Sequence, residues 1–220
     1  MTKSKFGFTP TQKTIFDSFS KTSFYKDFYF TGGTALSVFY FQHRESEDLD
    51  FFSESDFDTD LSVKFMEEMA LKLNAKLRST FHERVKIFEL VDSKNQLILK
   101  VDFGFYPHPR LKKGKVINRV EVDSLEDIGA NKLQTILQRT QVKDFVDLYF
   151  LLKKYKVWDL LHFSQQKFRL EIDLIWLATS LLKADRFENL PIMLVPFDLL
   201  ELKNFYRDLA KKLGSNVVKK

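Results

Sequence analysis

The segment Phe30–Leu36 has the sequence FTGGTAL, which predicts a strand, a glycine turn and a helix in direct succession. Glycines at such a turn let the backbone come close to a ligand, and the first turn of a helix offers unpaired N–H groups to phosphate. Most Gly-Gly pairs between a strand and a helix are only tight turns. The segment alone therefore predicts local structure, and the acids that follow it decide whether a ligand is involved.

Acidic side chains follow in two predicted strands. Asp48 and Asp50 belong to the sequence DLDFF at residues 48–52, and side chains at i and i+2 of a strand point to the same face, with Cα atoms roughly 6.5–7 Å apart. Asp102 lies between apolar neighbours on the strand face that it shares with Lys100, where an acid needs compensation. A shared cation would compensate it, because Mg²⁺ prefers carboxylate oxygens.

Three carboxylates from two neighbouring strands could hold a metal pair about 3.5–4 Å apart, an arrangement that serves in-line phosphoryl or nucleotidyl transfer. For a D-x-D pair taken alone, an exposed acidic strand end is the simpler interpretation. The glycine turn upstream and the third acid downstream favour the metal site.

The composition excludes several classes of protein. The 220 residues include 24 Phe but no Cys, which rules out a disulfide framework, a thiolate metal site and a Cys nucleophile. No apolar run approaches the roughly 18–20 residues needed to cross a bilayer, and Met1–Pro10 lacks a stretch of signal-peptide type. We therefore expect a cytoplasmic protein without a membrane partner. The net charge of +5 permits an anionic partner without requiring one.

The apolar pattern predicts two domains, an α/β domain at residues 1–123 and a helical domain at residues 124–220. In the first we predict strands at 27–31, 49–53, 76–81, 85–91, 96–106 and 116–122, and helices at 10–19, 34–42 and 59–73. In the second we predict helices at 124–139, 141–155, 158–167, 169–184 and 198–213. The expected fold class is α/β (α+β), a mixed sheet with flanking helices followed by a helical C-terminal half, with a ligand cleft between the halves.

The glycine turn, the pair of Asp48 and Asp50, and the later Asp102 together resemble the pattern of the DNA-polymerase-beta-like nucleotidyltransferase superfamily. That pattern is a hydrophobic-Gly-Gly/Ser turn, an Asp-x-Asp/Glu pair and a later Asp or Glu. The fuller sequence, GGTAL at 32–36 followed by HRESEDLDFF at 43–52, is similar to the AbiEii/AbiGii toxin family within it. Members of that family are bacterial proteins of abortive-infection and toxin–antitoxin systems.

The helical half adds a second match to the same family. Lys132, Arg139 and the sequence KDFVDLY at residues 143–149 resemble its Lys…Arg…Arg-Asp-x-x-Asp-Leu motif. Lys143 stands where Arg is commoner, which keeps the charge but loses the planar fork of a guanidinium. The resemblance covers roughly residues 28–155.

The resemblance implies roles for single residues. Asp48, Asp50 and Asp102 would ligate two Mg²⁺ ions, with Mn²⁺ as an alternative, and Asp102 would also activate the acceptor hydroxyl. The catalytic set would be completed by Lys132 and Asp144, a match to a family residue needed for activity. The triphosphate would be bound by Gly32, Gly33, Thr34, Arg44, Ser46 and Lys132.

Several of these residues have a second interpretation. Arg44 could instead neutralise Glu45, Glu47 or other nearby acids, and Asp147 could form a helix cap or a structural pair with Arg139. The four histidines are too scattered for a metal site, so we expect ordinary surface or core positions for them. Of the four, His43 alone is near the proposed site in the sequence.

The function that the resemblance implies is a Mg²⁺-dependent nucleotidyltransferase, which moves a nucleoside monophosphate from a nucleoside triphosphate (NTP) to an acceptor. Transfer RNA (tRNA) would be the acceptor, growth inhibition the outcome, and a separate antitoxin protein the partner. Two alternatives stay open: the same chemistry on a small molecule or a protein side chain, and a protein of this fold that binds nucleotide or RNA without turnover. The intact acids weigh against the second alternative.

Overall fold

A computed structural model of the protein describes residues 7–218. Its strands are β1 (Tyr29–Thr31), β2 (Asp48–Ser53), β3 (Lys76–Phe81), β4 (Val85–Val91), β5 (Leu97–Phe105), β6 (Lys115–Ile117) and β7 (Val120–Val122). Its α-helices are α1 (Pro10–Phe19), α2 (Gly32–Leu36), α3 (Thr59–Lys72), α4 (Leu125–Gln138), α5 (Val142–Lys154), α6 (Val157–Phe168), α7 (Leu174–Leu181) and α8 (Leu199–Val218). The predicted fold class, a mixed sheet with flanking helices and a helical C-terminal half, is confirmed. No helix of the described residues is long and apolar enough to span a membrane.

The chain divides into two compact units, which are described separately. Unit 1 consists of Met1–Tyr40, Ser46–Pro109 and Lys113–Ser124, and unit 2 consists of Phe41–Glu45, Arg110–Lys112 and Leu125–Lys220. Two short segments that precede α4 in the sequence therefore belong to the helical unit.

Unit 1 is built on one seven-stranded sheet with the order β3-β4-β5-β2-β1-β7-β6. The pairs β2–β5 and β1–β7 are parallel, and the other neighbours are antiparallel. The sheet is therefore mixed. Its central strand β2 pairs with β1 on one side and with β5 on the other, so that Asp50 lies opposite both Thr31 and Asp102.

Local sequence signals set most element boundaries in unit 1. At α1, Thr9 and Gln12 form a reciprocal capping box, and Pro10 occupies the first helical position, as predicted. The Asp58 carboxylate caps α3 by accepting the Asp60 N–H at 2.9 Å. These side chains satisfy backbone donors that would otherwise lack partners.

Two predicted elements of unit 1 are wrong in detail. The predicted strand 116–122 is a hairpin of β6 and β7, because Asn118 and Arg119 adopt positive φ angles of 47° and 73° and reverse the chain. The predicted helix 34–42 begins already at Gly32 and changes into a wider π turn at Ser37–Phe41.

The core of unit 1 is a cluster of phenylalanine rings on one face of the sheet. Phe103 of β5 is fully buried, and its ring stacks on Phe51 of β2 with centroids 5.3 Å apart. Further rings surround it with centroid distances between 5.3 and 6.4 Å, namely Phe19, Phe24, Phe28, Phe65 and Phe88. Tilted and edge-on rings of this kind add to the stabilisation from burial.

Unit 2 packs α4 against α6 through a glycine and a buried ion pair. A Cβ at Gly129 would lie 2.8 Å from Leu160 Cδ2, so the glycine lets the two helices approach. Lys167 Nζ lies 2.6 Å from Asp127 Oδ1, and both side chains are fully buried. Asp127 also accepts the backbone N–H of Leu111 at 2.9 Å, which ties the segment 110–112 to the helices.

The predicted helix 169–184 differs from the observed one. Helix α7 starts only at Leu174, because α6 ends with the C-cap residue Arg169, whose backbone adopts the left-handed conformation.

Truncation of the central ring should show how much of the fold rests on the phenylalanine cluster. We expect Phe103→Ala to lower the free energy of unfolding by about 3–5 kcal/mol, because it removes buried area and leaves a cavity between rings that cannot collapse together. Urea unfolding followed by circular dichroism measures the change. The control is Phe81→Ala. Phe81 is 52% exposed, so its replacement should lower the free energy of unfolding far less than that of Phe103. Equal stabilities of the two variants would contradict the cluster's role.

Candidate active site

The glycine turn and the acid pair meet at Gly32. This residue has a φ angle of +77°, and a Cβ added to it would lie 2.0 Å from Asp50 Oδ2. The Asp50 carboxylate therefore lies directly against the α-carbon of Gly32, on the strand that pairs with β1. Both the backbone angle and the close approach require glycine at this position.

A buried threonine ties the same turn to the start of β2. The hydroxyl of Thr34 donates to the backbone carbonyl oxygen of Asp48 and lies 2.8 Å from Ser46 Oγ. Gln12 Nε2 donates to the carbonyl oxygen of Ser46 at 2.8 Å, which fixes the chain before the strand. Since the Thr34 side chain is buried, the part of this turn that can face a ligand is its backbone.

The three predicted metal-binding acids lie on one face of the sheet, which we call the carboxylate face (Asp48, Asp50 and Asp102). In the parallel pairing of β2 with β5, Asp50 is opposite Asp102 and Asp48 is opposite Lys100. Residues opposite each other in adjacent strands point to the same face. The strand alternation predicted from the sequence is therefore present.

Lys100 supplies the compensating charge that the sequence required at Asp102. Its Nζ donates to Asp102 Oδ2 at 2.6 Å, and the two side chains are 27% and 13% exposed. Burial by itself would lower the pKa of Lys100, but the hydrogen bond and charge of Asp102, and the charges of Asp48 and Asp50, raise its pKa above the ordinary value. The ammonium is thus bound by Asp102, and the charges of Asp48 and Asp50 add to its stabilisation.

The chemistry of the carboxylate face fits a hard divalent cation, because all of its candidate ligands are carboxylate oxygens. The arrangement is not that of a ready-made cation site, however. Within residues 7–218, no group of three or more His, Asp or Glu side chains is placed to hold a metal ion. The Asp102 carboxylate is instead engaged by Lys100, the cation with which a metal would compete.

Unit 2 contains a second set of predicted site residues, centred on the fully buried Asp147 of α5. Its carboxylate accepts hydrogen bonds from Arg44 Nε at 2.7 Å and Arg44 Nη2 at 2.8 Å. His43 Nε2 lies 2.8 Å from Oδ1, and Lys132 Nζ of α4 lies 2.6 Å from Oδ2. Burial would raise the pKa of Asp147, but the charges of Lys132 and Arg44 hold its pKa well below the ordinary value.

Lys132 links Asp147 to Asp144, one helical turn earlier in α5. Its Nζ lies 2.9 Å from Asp144 Oδ1, and Arg139 Nε lies 2.8 Å from Oδ2 of the same carboxylate. Burial would lower the pKa of Lys132, yet the charges of the two aspartates raise its pKa, so that it stays an ammonium ion. We call these six residues the unit 2 charge cluster (His43, Arg44, Lys132, Arg139, Asp144 and Asp147).

The partners within this cluster differ from the predicted ones. The predicted structural pair of Asp147 with Arg139 is wrong, since Arg139 binds Asp144 and Asp147 is bound by Arg44. The expectation that His43 is an ordinary core or surface histidine missed its contact with Asp147. Burial lowers the pKa of His43, and Nε2 is the donor in this contact because an ionised carboxylate can only accept. Its position beside Arg44 in the sequence was the available signal.

The predicted site residues thus form two sets. Unit 1 brings together the turn residues Gly32 and Gly33, the buried Thr34 with the half-buried Ser46, and the carboxylate face. Unit 2 brings together Arg44, Lys132 and Asp144. The catalytic, nucleotide-binding and metal-binding roles of these residues stay predictions.

A comparison with known protein families shows to which family the chain belongs. The sequence profile of the AbiEii family, described as nucleotidyl transferase AbiEii toxin of type IV toxin–antitoxin systems, matches residues 14–211. The chain belongs to the AbiEii family. This assignment confirms the resemblance to that family.

Three proteins similar to this AbiEii-family chain share between 20% and 33% sequence identity with it. The protein aq_aa25 of Aquifex aeolicus is 33% identical over 138 residues, a match that covers 61% of each chain. Two crystal structures of Helicobacter pylori proteins have a similar fold. JHP933 has 21% identity and a TM-score of 0.55 over 95% of this chain and 93% of its own. A putative nucleotidyltransferase has 20% identity and a TM-score of 0.57 over 95% and 94%.

Replacement of Asp147 by a neutral residue should destabilise the AbiEii-family protein. We expect Asp147→Asn to lower the free energy of unfolding by about 3–5 kcal/mol at pH 7, because buried Arg44 would lose its ion pair and Lys132 would keep only Asp144 as its counter-charge. Urea unfolding measures the change in the free energy of unfolding. The control is Asp185→Asn, which removes an exposed ion pair with Arg207 and should cost under about 1 kcal/mol.

The pH dependence gives a further check of the same variant. Because the folded pKa of Asp147 is depressed, its stabilising contribution is complete above the unfolded pKa of about 3.9 and is lost as the pH falls from there towards the folded pKa. Wild type should therefore lose more stability than Asp147→Asn on acidification below about pH 4. Identical acid profiles would contradict the assignment.

A side chain at Gly32 should distort the turn and displace Asp50. We expect Gly32→Ala to lower the free energy of unfolding by about 1–3 kcal/mol, because alanine is strained at positive φ and its Cβ overlaps the carboxylate. The matched control is Gly214→Ala in α8, where a Cβ would meet no atom within 4 Å. This control should leave stability unchanged or raise it by up to about 1 kcal/mol. A Gly32→Ala variant as stable as wild type would show that Asp50 can move away at no cost.

Proposed function

We propose that this AbiEii-family protein transfers a nucleoside monophosphate from an NTP to a hydroxyl group of tRNA, in a reaction that depends on Mg²⁺. In this proposal it is the toxin of a type IV toxin–antitoxin system in the bacterial cytoplasm, and a separate antitoxin protein is its partner. The observation that carries the proposal is the position of the Asp50 carboxylate against Gly32 and opposite Asp102, in a chain of this family.

Asp48, Asp50 and Asp102 would hold the divalent ion, because they are the oxygen donors of the carboxylate face. When bound, such an ion screens the charge of the triphosphate and lowers the pKa of the attacking hydroxyl. The backbone at Gly32 and Gly33 would approach the phosphates, since neither residue carries a side chain of its own. Thr34 and Ser46 would act mainly by fixing this turn against the start of β2.

In the proposed step, the acceptor oxygen forms a bond to the α-phosphorus, and the bond from that phosphorus to the bridging oxygen of the leaving pyrophosphate breaks. Asp102 would accept the proton of the hydroxyl. Lys132 would bind a phosphate group as a fixed positive charge, because Asp144 and Asp147 keep it protonated and in place. Arg44 would contribute by orienting Asp147 rather than as a freely moving phosphate ligand.

Transfer can be tested directly with radiolabelled nucleotides. Purified protein is incubated with each of the four α-³²P-labelled NTPs, Mg²⁺ and total tRNA, and the products are separated by electrophoresis. We expect label in tRNA, and a rate lower by about 10³-fold or more in Asp48→Ala, because several kcal/mol of transition-state stabilisation are lost. Asp56→Ala, in an exposed position of the same acidic segment, is the matched control and should retain the wild-type rate.

The distribution of label separates the alternatives. Label in a protein or in a small molecule, rather than in tRNA, would retain the transfer chemistry and overturn the tRNA acceptor. Nucleotide binding without any transferred label would overturn the enzymatic proposal in favour of a binding protein of the same fold. Equal rates in Asp48→Ala and Asp56→Ala would contradict the role of the carboxylate face.

A further inference from the structure

A row of alternating charges crosses the sheet beside the carboxylate face. The strand registers place Arg78 of β3 opposite Glu89 of β4, Glu89 opposite Lys100 of β5, and Lys100 opposite Asp48 of β2. All four side chains therefore lie on the same face. Lys100 consequently has a carboxylate on each flanking strand, Glu89 on one side and Asp48 on the other.

The ammonium of Lys100 is engaged by a carboxylate of its own strand, β5, and not by Glu89 of β4. Its Nζ lies 2.6 Å from Asp102 Oδ2, and Asp102 is the residue opposite Asp50. A unit positive charge thus lies directly beside one oxygen of a carboxylate that a divalent ion would share as a ligand. Two cations that compete for one carboxylate oppose each other's binding, and the low exposure of the pair strengthens this opposition.

We propose that Lys100 is an internal counter-ion of the carboxylate face, which a divalent cation must displace towards Glu89 before Asp102 can become its ligand. The inference rests on the proposed function for the choice of a divalent cation as the ligand. Its consequence is that the protein alone binds such a cation weakly. The triphosphate adds negative charge beside the face and so favours the exchange, which makes cation binding depend on the nucleotide.

Binding of Mn²⁺ in the absence of nucleotide tests this role. The Kd is measured by electron paramagnetic resonance of free Mn²⁺ for wild type, Lys100→Gln and Lys100→Met. We expect both variants to bind Mn²⁺ about tenfold or more tightly than wild type, because a positive charge within a few ångström of the ion is removed. Two chemically different replacements guard against a folding defect in one of them, and circular dichroism checks both.

The matched control is Lys86→Gln on β4. Lys86 lies opposite Phe103, hence on the other face of the sheet, and its replacement changes the net charge by the same amount. Its Kd for Mn²⁺ should stay within about twofold of wild type, since the charge does not face the acids. An unchanged or weaker affinity in both Lys100 variants, or an equal gain in Lys86→Gln, would overturn the inference.

Two further variants locate the ion and the displaced ammonium. Asp50→Asn should weaken Mn²⁺ binding in the Lys100→Gln background, and failure to do so would mean that the ion binds elsewhere, which overturns the inference. Glu89→Gln should weaken binding more in wild type than in Lys100→Gln, because Glu89 acts by accepting the displaced Lys100. Equal losses in the two backgrounds would overturn the displacement towards Glu89.

The inference and the proposed function can fail separately, because the Mn²⁺ titration needs no turnover. If the protein transfers label to tRNA, but its Lys100 variants bind Mn²⁺ no more tightly than wild type, the proposed function is supported. The proposed role of Lys100 as a counter-ion is then overturned. Tighter binding in the Lys100 variants of a protein without transfer activity would support the counter-ion and overturn the proposed function.

Discussion

The parallel pairing of β2 with β5 is the constraint on which both the core and the candidate site of unit 1 depend. One register places Asp50 opposite Asp102 on one face and Phe51 opposite Phe103 on the other, where the two rings stack. A slip by one residue would move the acids into the phenylalanine core and the rings to the polar face. The apolar packing thus selects the register that gathers the acids, although acids of like charge do not favour their own association.

The two units solve the problem of concentrated charge in opposite ways. In unit 1 the ammonium of Lys100 binds Asp102 in the field of Asp48 and Asp50. In unit 2 the carboxylate of Asp147 is contacted by Lys132, Arg44 and His43. In each case burial disfavours the charged form, and the partners more than compensate. Such clusters are costly to dismantle, because removal of one member takes away part of the counter-charge that its poorly solvated partners need.

The sequence predicted the parts of the fold that local patterns determine. Strand alternation, the apolar pattern and the D-x-D spacing all act over a few residues, which is why the fold class and the shared face of Lys100 and Asp102 could be foreseen. The contact of Asp147 with Arg44 could not be predicted. The two residues are 103 positions apart in the sequence, and only tertiary packing brings them together. The hairpin at Asn118 was missed because its positive φ angles are adopted by residues other than glycine. The sequence also predicted that Asp102 needs a cation beside it, but the predicted cation was a metal ion and the observed one is the Lys100 ammonium.

This distribution of charge changes how the family motif is to be interpreted in this chain. A motif lysine such as Lys132 is easily treated as a mobile point charge for phosphate, yet here it bridges Asp144 and Asp147 inside the helical unit. Its position and its protonation are set by the protein before any ligand arrives. Loss of activity on replacing it would combine a stability effect with a binding effect, because the two aspartates would repel each other once it is gone. The residue's role in binding is therefore identified by a change in affinity at unchanged stability, and not by loss of activity alone.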